Sequence, residues 1–150
     1  MIELITFLVL IAVGYTSGTI LEKRHYISIR KREALTLTLP ALPTDCIDST
    51  RSVESVKLVA GSTAIALDYF KSITGRLKNL FGGRVTAYET LLDRARRESI
   101  LRMKAEAEGY DVIINVCLET SSIGGEAQGR RKIQSVECYA YGTAIKYARS

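Results

Sequence analysis

The sequence predicts an α+β domain, a small sheet carrying helices on one face, preceded by a single transmembrane helix. Three observations predict it. A long amphipathic stretch runs from Phe81 to Gly109, strand-like stretches lie on both sides of it, and no residue from Leu4 to Leu21 is charged. The boundaries that follow are 1–21 for the membrane helix, 22–33 for a basic juxtamembrane linker and 34–150 for the domain.

Leu4 to Leu21 is eighteen residues long, roughly 27 Å as a helix and close to the ~30 Å of a bilayer core. A cleaved signal would carry a basic start, whereas this one carries Glu3. The positive cluster follows the apolar run instead: Lys23, Arg24, Arg30, Lys31 and Arg32. That asymmetry predicts the inner, cytoplasmic membrane as the location, with the N-terminus outside and everything from about residue 22 in the cytoplasm. The same five cations are candidates for holding anionic lipid. Gly14 and Gly18 form a G-x-x-x-G pair that would let two such helices approach closely. His25, alone in this basic stretch, reads as an interfacial side chain.

In the domain, Leu35, Leu37 and Leu39 alternate with Thr up to Pro40, a short strand pattern. Asp45, Cys46 and Asp48 lie in an irregular link. Val53 to Leu67 reads as a long strand, bent or bulged at Gly61. Asp68 would cap a helix with Tyr69, Phe70, Ile73, Leu77, Leu80 and Phe81 on one face. The next helix has Tyr88, Leu91, Leu92, Ala95, Ser99, Met103 and Ala107 on one stripe, and Gly109 to end it. Its other face is charged, with Asp93–Arg97 and Glu98–Arg102 at the supportive spacing of four. Asp111 to Glu119 alternates as a strand, with Val112, Ile114, Val116 and Leu118 on one face. Residues 120–131, holding Gly124, Gly125 and Gly129, read as a loop, and Ile133 to Tyr147 as the last strand.

The net charge of +5 concentrates near the membrane helix: residues 22–32 carry five bases and one acid, while the chain after Glu33 carries 16 bases and 13 acids. No nucleic-acid stripe is expected on so balanced a domain, and Arg94, Arg96 and Arg97 read as a solvated helix face. Three cysteines at wide spacing make neither a disulfide framework nor a zinc knuckle. The one histidine precedes the domain, so a Ser-His or Cys-His nucleophile is not expected, nor is there a phosphate or dinucleotide loop. The expectation is therefore no enzyme and no cofactor, with one candidate exception. A hairpin turning near residues 127 and 128 would set Cys117 opposite Cys138, where two thiolates could take a soft metal such as Cu(I) or Zn. The alternative is two unrelated core thiols.

Asn79-Leu80-Phe81-Gly82-Gly83-Arg84, Tyr88-Glu89, Arg94-Ala95-Arg96, Tyr110 to Val116 and Tyr141-Gly142-Thr143-Ala144 together resemble the YbjQ-like family. The resemblance covers roughly Val53 to Tyr147 and rests most on Gly82, Gly83, Arg84, Tyr88, Glu89, Arg96, Gly142 and Thr143. It implies a dodecin-like subunit that closes into a ring, commonly a pentamer, and it brings a heavy-metal-binding label. Tyr110 stands where the family has a small residue, and the membrane helix and glycine-rich stretch lie outside the family pattern. The function expected is a cytoplasmic, membrane-anchored oligomeric platform for an unidentified protein partner, with soft-metal binding or sensing as the alternative.

Overall fold

The structure, a computed structural model, describes residues 2–66, 86–127 and 130–149, with side chains except at 86–88, 123–127 and 130–134. Helix α1 spans Ile2–Leu35, strand β1 Val53–Ala66, helix α2 Thr86–Glu106, strand β2 Val112–Ala127 and strand β3 Arg130–Tyr147. The three strands form one antiparallel sheet in the order β1-β3-β2. Along the free side of β2 runs the segment Pro40–Thr44: Leu42 N–H donates to Ile113 O at 2.8 Å, and Val116 N–H to Leu42 O at 3.0 Å.

The amphipathic stripe of α2 decides how it lies on the sheet. Leu91 and Ala95, near its start, pack with Ile65, Val136 and Cys138. Met103, with Ala107 just past the helix, packs with Val59, Ile113, Ala140 and Ala144. The helix thus runs antiparallel to β1, its first turns over the end of β1 at Ala66. Gly61 sits beneath it with no bulge: β1 and β3 pair without interruption there, and the register shift falls between Val53 and Ser55. A Cβ at Gly61 would collide with the backbone of Ser99 and Met103 and come within 2.8 Å of Arg102 Cβ. The glycine expected to bend a strand instead lets a helix touch it. Gly109 does end the helical segment in the left-handed region, at φ +85°.

Four other expectations change. The linker at 22–33 is helical, because α1 continues without a break to Leu35. Ala34 to Leu39 is therefore no strand but the last turn of α1 and a tight exit, with Thr36 N–H on Arg32 O at 3.0 Å and Leu39 N–H on Thr36 O at 3.2 Å. Six residues are too few for alternation to be told from a helix end. Residues 120–127 and 130–131 are paired strand rather than loop, with Gly124 opposite Ile133 and Gly125 opposite Lys132. Glycine is held in strand there because the neighbouring strand fixes the backbone by bonding alternate residues. Finally, Asn115 takes φ 53°, and a shift between Ile114 and Cys117 switches the faces of β2 part-way along. Ahead of that shift Ile113 and Ile114 point to opposite faces and both are buried, Ile113 with Met103 and Ala144 and Ile114 with Ile145 and Tyr147. The expected helix from Asp68 to Phe81 lies outside the described residues.

Candidate functional site

The most elaborate polar arrangement in the described residues joins the second half of α1 to α2. Tyr26 donates from its hydroxyl to Thr90 O at 3.0 Å, Glu33 accepts from Arg97 at 2.7 Å, and Lys104 donates to Thr36 O at 3.1 Å. The partners advance together along both helices, so α1 and α2 lie parallel. Ile29, fully buried, is the apolar centre of this side of α1.

Glu98 is the hub. Its side chain keeps only 7% of its exposure, and Arg32 grips it with both guanidinium nitrogens, one bond measuring 3.1 Å. Arg102 adds a bond at 3.2 Å and His25 Nε2 stands 3.7 Å away. The hydrogen bonds from Arg32 hold the Glu98 carboxyl below its ordinary range, against the opposing effect of burial. Hydrogen bonds from Arg97 do the same to Glu33. His25 is pushed down, first by burial and then by Arg94, with Glu98 pulling the other way. Arg97 also meets Asp93 at 3.6 Å and lies 6.0 Å from the centre of the Tyr26 ring. A buried acid ringed by cations is a mechanical clasp: it fixes the direction of one helix against the other.

Sequence reasoning placed Glu98 on a solvated face and His25 at a membrane interface, and both belong instead to this clasp. The available signal was the three- and four-residue spacing of Tyr26, Ile29, Glu33 and Thr36, which carries helical periodicity through the supposed linker. Of the five candidate lipid cations, Lys23, Arg24, Arg30 and Lys31 are exposed, while Arg32 is turned to Glu98. Gly14 and Gly18 lie on α1 ahead of the clasp.

The cysteines do not meet. Cys117 is opposite Tyr141 and Cys138 opposite Thr120, so the hairpin register is three residues from the one that would pair them. An odd offset puts them on opposite faces. Cys138 is buried under α2 and accepts from Ser99 Oγ at 3.2 Å. Cys117 is exposed on the other face, where its contact with the Tyr141 hydroxyl pushes that phenol up. Among the described residues no three His, Cys, Asp or Glu side chains gather as a metal site.

Of the motif residues, Gly82, Gly83 and Arg84 lie outside the described residues, and Tyr88 falls in the first turn of α2. Glu89 and Arg96 are exposed. Gly142 is buried against β2, where a Cβ would come within 2.8 Å of Ile113 Cγ2. Thr143 is half-buried beside it, between Leu58 and Ile114. At the end of the sheet away from the start of α2, Thr50, Arg51, Ser52, Ala148 and Arg149 line an open cleft of about 620 Å³. Arg51 is stacked 4.3 Å over the Tyr147 ring there, and the cleft's lining holds two hydroxyls and two arginines but no carboxylate, thiol or histidine to act on them.

These features define a class: a small antiparallel α+β domain, one face under a long helix, fastened to an apolar N-terminal helix by ion pairs. Comparison with known proteins places it further. Residues 41–148 match the model of the YbjQ family, described as "Putative heavy-metal-binding", and the chain belongs to that family. A UPF0145 protein of Natronomonas pharaonis is 35% identical over 112 residues, covering 72% of this chain and 98% of the relative. A UPF0145 protein of Psychrobacter arcticus is 42% identical over 95 residues, covering 62% of this chain and 55% of the relative. A crystal structure of a protein with unknown function from Pediococcus pentosaceus, assigned to the DUF74 family, covers 73% of this chain and 98% of its own at 21% identity and a TM-score of 0.39. Helix α1 precedes the residues matched by the family model.

Proposed function

We propose that this chain is a membrane-anchored member of its family and a non-enzymatic platform, in which α1 crosses the bilayer and continues unbroken as a stalk that holds the domain at the cytoplasmic face. The observation that carries this reading is the division of α1 into two unlike halves. The 34 residues of the helix reach roughly 51 Å, more than a bilayer core. The helix is long and apolar enough to cross a membrane, and no residue of its apolar window is buried against the domain. The basic half, by contrast, is locked to α2 through Arg32–Glu98 and Glu33–Arg97. A clasp of ion pairs on a helix that is otherwise bare suits a part that must transmit position.

Self-association into a ring, a pentamer in the family's usual form, is the second half of the proposal. The sheet face away from α2 leaves Val56 60% and Leu58 72% exposed, beside Tyr139, Tyr141 and Cys117. Adjacent exposed apolar side chains on one strand face are the kind of surface that marks an interaction site. Along the outer edge of β1, Glu106 accepts from Ala60 N–H at 2.9 Å and Arg102 donates to Ser62 O at 2.7 Å. Strand addition would therefore use the stretch before Ala60. Gly14 and Gly18 would assist within the membrane.

A soft-metal reading rests on the family's description and on Cys117, whose exposed thiol could share a metal with a ligand from another subunit. Native mass spectrometry of the detergent-solubilised chain tests both. A metal-free oligomer supports the platform, an oligomer with metal in fixed ratio to subunits supports the metal reading, and a monomer at micromolar concentration refutes the ring.

A further inference from the structure

We propose that the cleft at the end of the sheet away from the start of α2 is a binding site for a small phosphate monoester, held by Arg51 and Arg149. The inference goes beyond the platform reading and does not depend on it.

The cleft is built where the chain enters β1 and leaves β3. Ala148 N–H donates to Ser52 O at 2.9 Å and so joins its two walls. The turn ahead of Ser52 is fixed as well. Asp48 Oδ1 accepts from Thr50 N–H at 3.0 Å and from the Thr50 hydroxyl at 2.6 Å, and Arg51 N–H donates to Asp48 O at 3.3 Å. Tyr147, only 5% exposed, accepts at its hydroxyl from Asp48 N–H at 3.2 Å. The Arg51 guanidinium stacks on that anchored ring. Stacking occupies a face of the guanidinium and leaves the N–H donors around its edge for a further partner. Arg51 is thus held in place before a ligand arrives, which lowers the ordering cost of binding.

Charge decides the class of ligand. The acids on these elements are already engaged: Asp48 with Thr50, Glu54 with Lys146 at 2.8 Å, and Asp111 with Tyr147 N–H at 2.8 Å. Among the described residues no carboxylate forms an ion pair with Arg51 or Arg149. The cleft therefore holds two guanidinium groups without a counter-charge, beside the hydroxyls of Thr50 and Ser52. A metal cation would be repelled there. A phosphate monoester answers the set, because it brings a charge of about −1.5 to −2 and three strong acceptor oxygens where a carboxylate brings one charge and two. The volume of about 620 Å³ is far larger than a phosphate group and falls within the roughly 300–1,000 Å³ of small-molecule sites. The ligand is therefore an organic phosphate.

Phosphorus NMR of the full chain in non-ionic detergent at neutral pH, with phenyl phosphate as the probe, tests the site. Saturable line broadening with one site per chain is expected. Affinity should fall about tenfold in Arg51→Gln and again in Arg149→Gln, each removing a charge-assisted donor, and binding should vanish in the double variant. Arg96→Gln, exposed on α2, should bind as the parent does. Both cleft arginines are exposed, so thermal denaturation should show every variant folded. Methyl phenyl phosphate, a diester with the single charge of a lipid headgroup, should bind more weakly. Inorganic phosphate should do so too, because it fills only a corner of the cleft. The site is overturned if broadening does not saturate, or if the double variant binds as the parent does. The monoester assignment is overturned if the diester or inorganic phosphate binds as tightly as phenyl phosphate. None of these results bears on the platform reading, which the oligomer measurement tests separately.

Discussion

Arg32 on α1 and Glu98 on α2 form a two-pronged ion pair across 66 residues of sequence, and that pair joins the apolar helix to the family domain. Glu98 is nearly buried while Arg32 keeps 39% of its side-chain exposure. The acid is therefore the partner whose loss matters more. Glu98→Ala removes the common acceptor of Arg32 and Arg102 and should lower stability by about 2–3 kcal/mol, the low side of a buried pair because both arginines can turn to water. Arg32→Ala should cost less than half of that. The urea midpoint in detergent distinguishes the two.

Acid should open the clasp in two stages. His25 has a folded pKa below its ordinary value, so its contribution is complete above about pH 6.5 and declines as pH falls through the folded value. Glu98 and Glu33 are likewise depressed. Their contribution is complete above about pH 4.3 and is lost as pH falls through folded values lower still. Stability followed from pH 8 to pH 3 should fall in both windows, and His25→Gln should abolish the upper step alone.

Gly61→Ala should be among the most damaging small changes in the chain. The new methyl meets α2 backbone at Ser99 and Met103, which cannot move aside as a side chain can. A cost of about 3 kcal/mol is expected, at the upper end of overpacking, and thermal denaturation beside a Gly109→Ala control will measure it.

Thiol labelling should separate the cysteines. Cys46 and Cys117 are exposed and Cys138 is buried, so two thiols should react in the folded chain and the third only on unfolding. If the outer sheet face is the ring interface, the reaction of Cys117 slows as protein concentration rises while that of Cys46 does not.

Leu58→Asp should shift the oligomer to monomer in native mass spectrometry, because it places a charge at the most exposed apolar residue of that face. The fold itself should survive, since Leu58 is solvated in the single subunit.

Much of this was legible in the chain. The stripe from Leu91 to Ala107, the strand from Val53, the left-handed Gly109 and the spanning length of the first helix all follow from short-range rules. Periodicity, turn chemistry and length act within a few residues of themselves. The family resemblance between Asn79 and Ala144 was legible for the same reason, as a set of local motifs, and the matched range 41–148 agrees with it.

What local rules could not reach is whatever depends on a distant partner. Glu98 looks like any surface acid until α1 is laid against it, and Gly61 looks like a kink until α2 crosses above it. Cys117 and Cys138 look paired until the pairing of Ala127 with Arg130 and the register shift between Ile123 and Gly124 put them on opposite faces. The glycines at 124 and 125 look like a loop until a second strand pairs with them. By itself the sequence determined which segments are helix or strand and which end is apolar, because those are properties of neighbouring residues. Only the tertiary structure decided which acid is buried, which glycine is a contact and which face each thiol takes, because burial and register are set by residues brought together from beyond their neighbourhood, 18 positions apart for Thr120 and Cys138 and 66 for Arg32 and Glu98.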